Sequence, residues 1–296
     1  MNQHDNSAMN TVEAGSLDEL LMVLKGIRDG DESHGPVDVF YRGHASEKWD
    51  LDATIYRETG KGILFDFYFT IAWQIRHEIE AMLNIDFNLS TKDRLAMMEY
   101  LTGVNNDAPK SALNYLITLR HYGFPSPLLD WTKSTGIALH FAASSPNRMK
   151  EDIRNKGRGA VFVLVVPRGS SQIRVDGDAT ITIHQTPITT DRRHFKQQAV
   201  YTTANWVQKD AAGQVIAHHF ANQRYALSKG HYERKCTLWK VIFDNKMAPD
   251  ILSYCDENNI NDFTLFDSAE GLLKTLRNRY FVVDPAGSIT IKSNND

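Results

Sequence analysis

Hydrophobic and polar positions divide the chain into segments of helical and strand periodicity. Ser16-Leu-Asp-Glu19 has capping-box spacing ahead of Leu20, Leu21, Val23 and Leu24, so a helix is expected to start there after a loose stretch over residues 1–15. Val37 to Tyr41 alternates and is β-rich, which predicts a strand ending at Arg42-Gly43, with Gly43 allowing a sharp turn. Ile63 to Asn84 carries one long helical period, followed by helical runs over Thr91–Leu101 and Ser111–Tyr122, with Gly123 as a stop. Phe124 to Asp130 is a proline-punctuated loop, and Ser134 to Ala143 a short helix with Ile137, Ala138 and Phe141 on one face.

Residues 144–159 read as a charged surface excursion. Ala160 to Val166 is the best candidate for a fully buried strand. Short strands are expected at 179–184, 198–203 and 237–243, and helices over Met247–Asn258 and Ala269–Arg279 with a short strand near Phe263–Phe266 between them. With no internal repeat and no Pro/Gly/Ser-rich linker, the economical architecture is one α+β domain with a mixed or antiparallel sheet. It would span residues 16–283, with a helical insertion at about 63–122 and a C-terminal tail over 284–296.

Bulk properties narrow the class. A chain of 296 residues with 42% hydrophobic positions can bury a large core. A net charge of −3 argues against general electrostatic adhesion to nucleic acid or anionic membrane, while leaving room for a local basic groove. The two cysteines, Cys236 and Cys255, lack metal-site spacing, and a reduced, cytoplasmic protein is the simplest reading. No secretory leader or run of 18 apolar residues is present, so no membrane partner is expected. His218, His219 and His231 have no zinc-binding spacing, and no phosphate loop, dinucleotide fingerprint or nucleophile elbow occurs.

The chemistry concentrates in three places. Phe40-Tyr41-Arg42-Gly43-His44 sets an arginine, with its rigid five-donor fork, at a strand end. Arg120 to Ala143 crowds His121, Tyr122, Asp130, Trp131, Thr132 and Ser134 around one loop; Asp130 or Thr132 suits a helix cap, and Trp131 suits either a core or a stacking platform. Asp191 to Tyr201 joins a basic cluster to the doublet Gln197-Gln198 at a strand entrance. Leu238 to Leu272 supplies a closing strand and helix.

In collinear order these four blocks resemble the FRG domain, a bacterial family named for its (Phe/Tyr)-Arg-Gly element, from about residue 37 to about 279. Ala199, Tyr201 and Asp267 stand where that family more often has Gly, Phe and Pro. The block order is also similar to that of ADP-ribosyltransferases. That likeness implies an ADP-ribosyltransferase-like core and NAD as cofactor. Tyr41, Arg42, Gly43, His121, Tyr122, Trp131, Thr132, Ser134 and Gln197 would bind it. Arg42, Asp130 and Gln198 would serve catalysis, with Gln198 near the position of that family's glutamate.

The third block carries no carboxylate, so Asp130 or Glu233 would have to supply the acid. The implied function is a toxin or antiphage effector modifying a protein, DNA or RNA acceptor, with an antitoxin or defence-system partner. The alternative is a non-catalytic FRG sensor that recognises a nucleotide, nucleic acid or phage protein.

Overall fold

A computed structural model describes residues 9–30, 35–60, 63–144, 157–175, 179–185, 192–222, 236–283 and 289–291. Its centre is a nine-stranded sheet of order β1-β9-β4-β2-β3-β7-β6-β5, with β8 also paired to β7. These strands are β1 (Met9–Ala14), β2 (Val37–His44), β3 (Leu129–Thr132), β4 (Arg158–Pro167), β5 (Gln172–Val175), β6 (Ala179–His184), β7 (Ala199–Lys209), β8 (Val215–Phe220) and β9 (Thr237–Asp244). The β1–β9 pairing is parallel. The others in this sheet are antiparallel. The fold is therefore α+β with a mostly antiparallel sheet, as the sequence pattern predicts.

The expected buried strand is β4, its residues from Gly159 to Val166 buried between β2 and β9. Helix α1 (Leu17–Asp29) starts where expected: Ser16 Oγ accepts the Glu19 N–H at 3.2 Å. The Glu19 carboxylate bonds the Gly15 N–H at 2.7 Å, one residue ahead of the position a capping box requires. The stretch before Ser16 is not loose throughout, because Met9–Ala14 pairs with β9 through a hydrogen-bond ladder and its last residue, Ala14, is buried.

After α2 (Thr54–Thr59), the single long helix expected over 63–84 is two: α3 (Phe65–Gln74) and α4 (Arg76–Leu83). Ile75, at φ −81° and ψ 0°, stands between them outside either helix, and Asn84 in the left-handed region ends α4. The helices α5 (Thr91–Thr102) and α6 (Lys110–His121) follow. Their apolar faces enclose one cluster that includes Phe65, Phe69, Met97, Leu101, Tyr115 and Leu116 and closes against Tyr201 and Phe220 of the sheet. Helix α7 (Thr135–Ser144) and, beyond α8 (Arg192–Lys196), helix α9 (Ala248–Glu257) pack with α1 over β1, β9, β4 and β2. Two groups of helices thus cover different parts of the sheet, and β3 lies where they meet.

Three further local expectations change. Phe263–Phe266 lies in a helical turn, α10 (Asp262–Phe266), because the Asn261 side chain caps it by accepting the Thr264 N–H at 3.0 Å. Past α11 (Ala269–Tyr280), part of the expected C-terminal tail pairs as a small hairpin of β10 (Phe281–Val283) and β11 (Ile289–Ile291). The third change bears on the site. Strand β2 does not end at Gly43: it runs through His44, with Gly43 opposite Val161 of β4. Gly43 is there for space. A Cβ on it would lie 1.9 Å from the Ala138 carbonyl oxygen and 2.7 Å from the Ala142 nitrogen, so α7 crosses β2 in direct backbone contact. The charged excursion over 144–159 lies mostly outside the described residues.

This predicts opposite signs for two Gly→Ala substitutions. Gly43→Ala forces α7 off the sheet and should cost about 1–3 kcal/mol or more of unfolding free energy. Gly26→Ala, inside α1 with nothing within 4 Å of the added methyl, should stabilise by about 0.8–1 kcal/mol. Urea denaturation of both variants checks this; equal effects would mean the β2–α7 approach is not tight.

Candidate functional site

Strands β2 and β3 are joined by a single bridge, Tyr41 to Thr132, whereas β3 pairs along its whole length with β7. The sheet therefore opens at the β2–β3 seam. Lys133 N–H bonds the Gln198 carbonyl at 3.1 Å. The antiparallel alternation then turns the Asp130 carbonyl away from β7 and toward the seam. Arg42 fills the gap: its Nη1 donates to that carbonyl at 2.5 Å. A side chain stands where a strand would have supplied a backbone N–H.

A cleft of ≈ 210 Å³ opens at this seam, lined by Arg42, Asp130, Thr132, His121, Gln197 and Tyr201 among others. Arg42 is its buried cation, with a side chain 14% exposed. Its Nε donates to His44 Nε2 at 2.8 Å. Burial pushes the Arg42 guanidinium down to about 10, with the Asp130 carboxylate opposing the shift, so it remains charged at neutral pH. His44 is held well below the ordinary histidine range, first by burial and then by the neighbouring Arg42 charge.

Asp130 is gripped from the other side. Arg120, in the last turn of α6, donates through Nε at 3.2 Å and Nη2 at 2.7 Å, a bidentate pair. Burial raises the Asp130 pKa, but the Arg120 and Arg42 charges and the Arg120 hydrogen bonds outweigh it, leaving the carboxyl below the ordinary carboxylate value. Arg57 adds a third guanidinium, itself lowered by burial and then by the Arg120 charge. The positive charges around Asp130 outnumber it. His121 Nε2 and the Tyr201 hydroxyl are 3.0 Å apart on the far wall, where the His194 ring stacks on Tyr201.

The remaining sequence candidates divide. Thr132 lines the cleft, but its hydroxyl donates to the Gln197 carbonyl at 2.7 Å and accepts the Ser134 N–H at 3.1 Å, which fixes the turn into α7. Ser134 caps α7 by accepting the Ile137 N–H at 3.3 Å and does not line the cleft. Trp131 is 2% exposed and its indole N–H donates to Thr202 Oγ1 at 2.8 Å within the core, while the residue also lines the cleft. Tyr41 and Gly43 line the wall beneath α7, and Tyr122 is 70% exposed and outside the cleft.

Of the glutamines, Gln197 faces the cleft, while Gln198 lies outside it with φ 45°, turning the chain into β7. Glu233, the other candidate acid, and His231 lie outside the described residues. Sequence reasoning missed Arg120 and Arg57. The available signal was a basic residue in the last turn of a helix, immediately before His121.

Residues 37–151 match the family model of the FRG domain, a span that runs from the start of β2 past the end of α7. The chain carries an FRG domain. No curated protein and no solved structure matches it. The FRG match covers Arg42, Arg57, Arg120, His121 and Asp130, so the whole charged cluster falls within the domain, while Gln197 and Tyr201 close the cleft from beyond it. Among the described residues no helix is long and apolar enough to cross a membrane.

The Asp130 shift gives a pH prediction. Its pKa is depressed in the folded state, so its contribution is present above the unfolded value of about 3.9 and is lost as pH falls through the folded pKa. Asp130→Asn should therefore flatten the loss of stability below about pH 4, read by thermal melts from pH 7 to pH 3. An acid limb identical to wild type would mean that Arg120 does not hold the carboxylate.

Proposed function

We propose that this FRG domain is a binding module for a phosphate-bearing ligand of nucleotide type, serving as a sensor in a bacterial defence system. The observation that carries this reading is the excess of guanidinium charge around Asp130, whose one carboxylate faces both Arg42 and Arg120, while Arg57 nearby also faces Asp52 and Glu58. Such a cluster favours an anion, and a buried arginine fork suits phosphate oxygens. His121 and Tyr201 offer polar atoms for a sugar hydroxyl. At ≈ 210 Å³ the cleft is smaller than the roughly 300–1,000 Å³ of pockets that enclose a whole drug-sized molecule, which suits one end of a ligand with the rest outside.

ADP-ribosyl transfer from NAD to a protein, DNA or RNA acceptor is the second reading. One observation favours it: Arg42, Thr132 and Gln197, from the three blocks whose order resembles the transferases, line the same cleft. Against it stand the absence of a carboxylate in the third block and the pairing of Asp130. A carboxylate held below its ordinary pKa by a bidentate arginine is a weak general base.

Calorimetric titration with ADP, then with NAD, followed by an assay for nicotinamide release, separates the two. The binding reading expects ADP to bind and NAD to remain intact. Arg42→Lys, which keeps the charge but loses the fork, should weaken ADP by about 10- to 150-fold, or about 1.5–3 kcal/mol. Asp130→Asn should leave ADP binding in place. Nicotinamide release abolished by Asp130→Asn would establish the transferase instead. Binding of neither ligand would end the proposal.

A further inference from the structure

The fork of Arg42 owes its direction to a neighbour two residues along the same strand. His44 is 5% exposed and lies on the same face of β2 as Arg42. Its ring sits edge-on to Phe162, with centroids 5.0 Å apart, and to Trp49 at 6.1 Å. Packing of this kind leaves the imidazole little freedom to turn. Its two nitrogens have different partners. Nδ1 lies 3.3 Å from the Trp49 carbonyl, which can only accept, so Nδ1 carries the proton. Nε2 lies 2.8 Å from the Arg42 Nε, which can only donate, so Nε2 is bare. These contacts determine one neutral tautomer.

An arginine side chain has several rotatable bonds, and burial of its charge does not choose among them. Two fixed acceptors do. His44 Nε2 takes the Nε–H and the Asp130 carbonyl takes Nη1. With both made, the plane of the guanidinium is set, and Nη2 is the corner that neither bond uses. An aspartate or glutamate at position 44 would orient the arginine equally well but would cancel the charge that attracts an anion. A neutral imidazole gives direction and leaves the charge whole.

We propose that His44 is the positioning residue of this site: as the Nδ1–H tautomer it locks the Arg42 fork toward the cleft without neutralising it. The proposal rests on the anion-binding reading above for its consequence, and on the Arg42–His44 contact alone for its geometry.

The test separates these two layers. Nitrogen-15 NMR of the wild-type protein, with no ligand, should show His44 with a protonated Nδ1 and a bare Nε2. A coupling should cross the hydrogen bond from Arg42 Nε to that Nε2. The opposite tautomer, or a solvent-exchanging Arg42 Nε–H, would overturn the proposal whatever the protein binds. With ADP as the probe, His44→Gln places its amide oxygen near the Nε2 position and should hold affinity within about threefold. His44→Asn is too short to reach Arg42. It should lose about tenfold or more, as expected for one hydrogen bond to a charged group. His44→Leu should match it, with wild-type far-ultraviolet circular dichroism in all three variants.

A merely structural histidine would rank these variants by stability and leave affinity unchanged, and that ranking would also overturn the proposal. Should wild type bind no ADP, the function proposed above fails, and the tautomer and coupling still decide the geometry.

Discussion

A guanidinium charge placed inside a sheet is the constraint around which this domain is organised. Burial of an ion is costly unless hydrogen bonds and an opposite charge compensate it. Arg42 meets the requirement in an unusual place, the gap where β2 and β3 stop pairing, by donating to a carbonyl that the missing strand contacts turn toward it. His44 absorbs a second donor without adding charge. Asp130 supplies the negative partner but is itself held by Arg120, so the compensation is incomplete and the site retains positive character. An ion pair built for stability alone would match its charges. This one leaves a surplus at a cleft.

The second constraint is steric. Helix α7 touches the backbone of β2 at Gly43, with Ala138 and Ala142 of the helix at the contact. That approach fixes how the helix starts relative to the strand. The Thr132–Ser134 turn between β3 and α7 then closes through short hydrogen bonds to Gln197 and within itself. The Arg-Gly pair on β2 thus performs two separate tasks on opposite faces of one strand: the arginine builds the site and the glycine admits the helix that walls it.

Much of this was legible in the sequence, for identifiable reasons. Most of the periodic segments and the uninterrupted run at β4 depend on local pattern, and their positions emerged within a residue or two, although the longest, 63–84, breaks at Ile75. The crowding of Arg42, His121, Asp130 and Thr132 into short polar motifs marked residues that the fold brings to one cleft. What failed was set by particular contacts, near or far, that the pattern of apolar and polar positions does not carry. Gly43 read as a turn because its crowding comes from Ala138, far along the chain. Phe263–Phe266 read as a strand because the apolar run outweighed the Asn261 cap. Ser134 read as open to ligand chemistry, yet a capping bond uses its hydroxyl, whereas Trp131 combines an indole bond to Thr202 with a place in the cleft wall. Arg120 escaped notice because a basic residue in a last helical turn is ordinary; only the fold sets it against Asp130.

The helices from α3 to α6 are part of the site. Helix α6 ends at the seam and presents Arg120 and His121 from its last turn, while α7 and β2 approach from the other group of helices. The charge balance at Asp130 therefore exists only when both groups are seated on the sheet. Seating of these helices depends in turn on a large aromatic cluster closing over Tyr201 and Phe220, and Tyr201 also forms the cleft's far wall with His121. Packing and the cleft share that residue: Tyr201 is buried in the aromatic cluster that holds the helices, and it also lines the cleft. A ligand bridging Arg42 and Tyr201 would touch both halves at once and would favour the state in which they are joined, since binding stabilises whichever conformation carries the complete site.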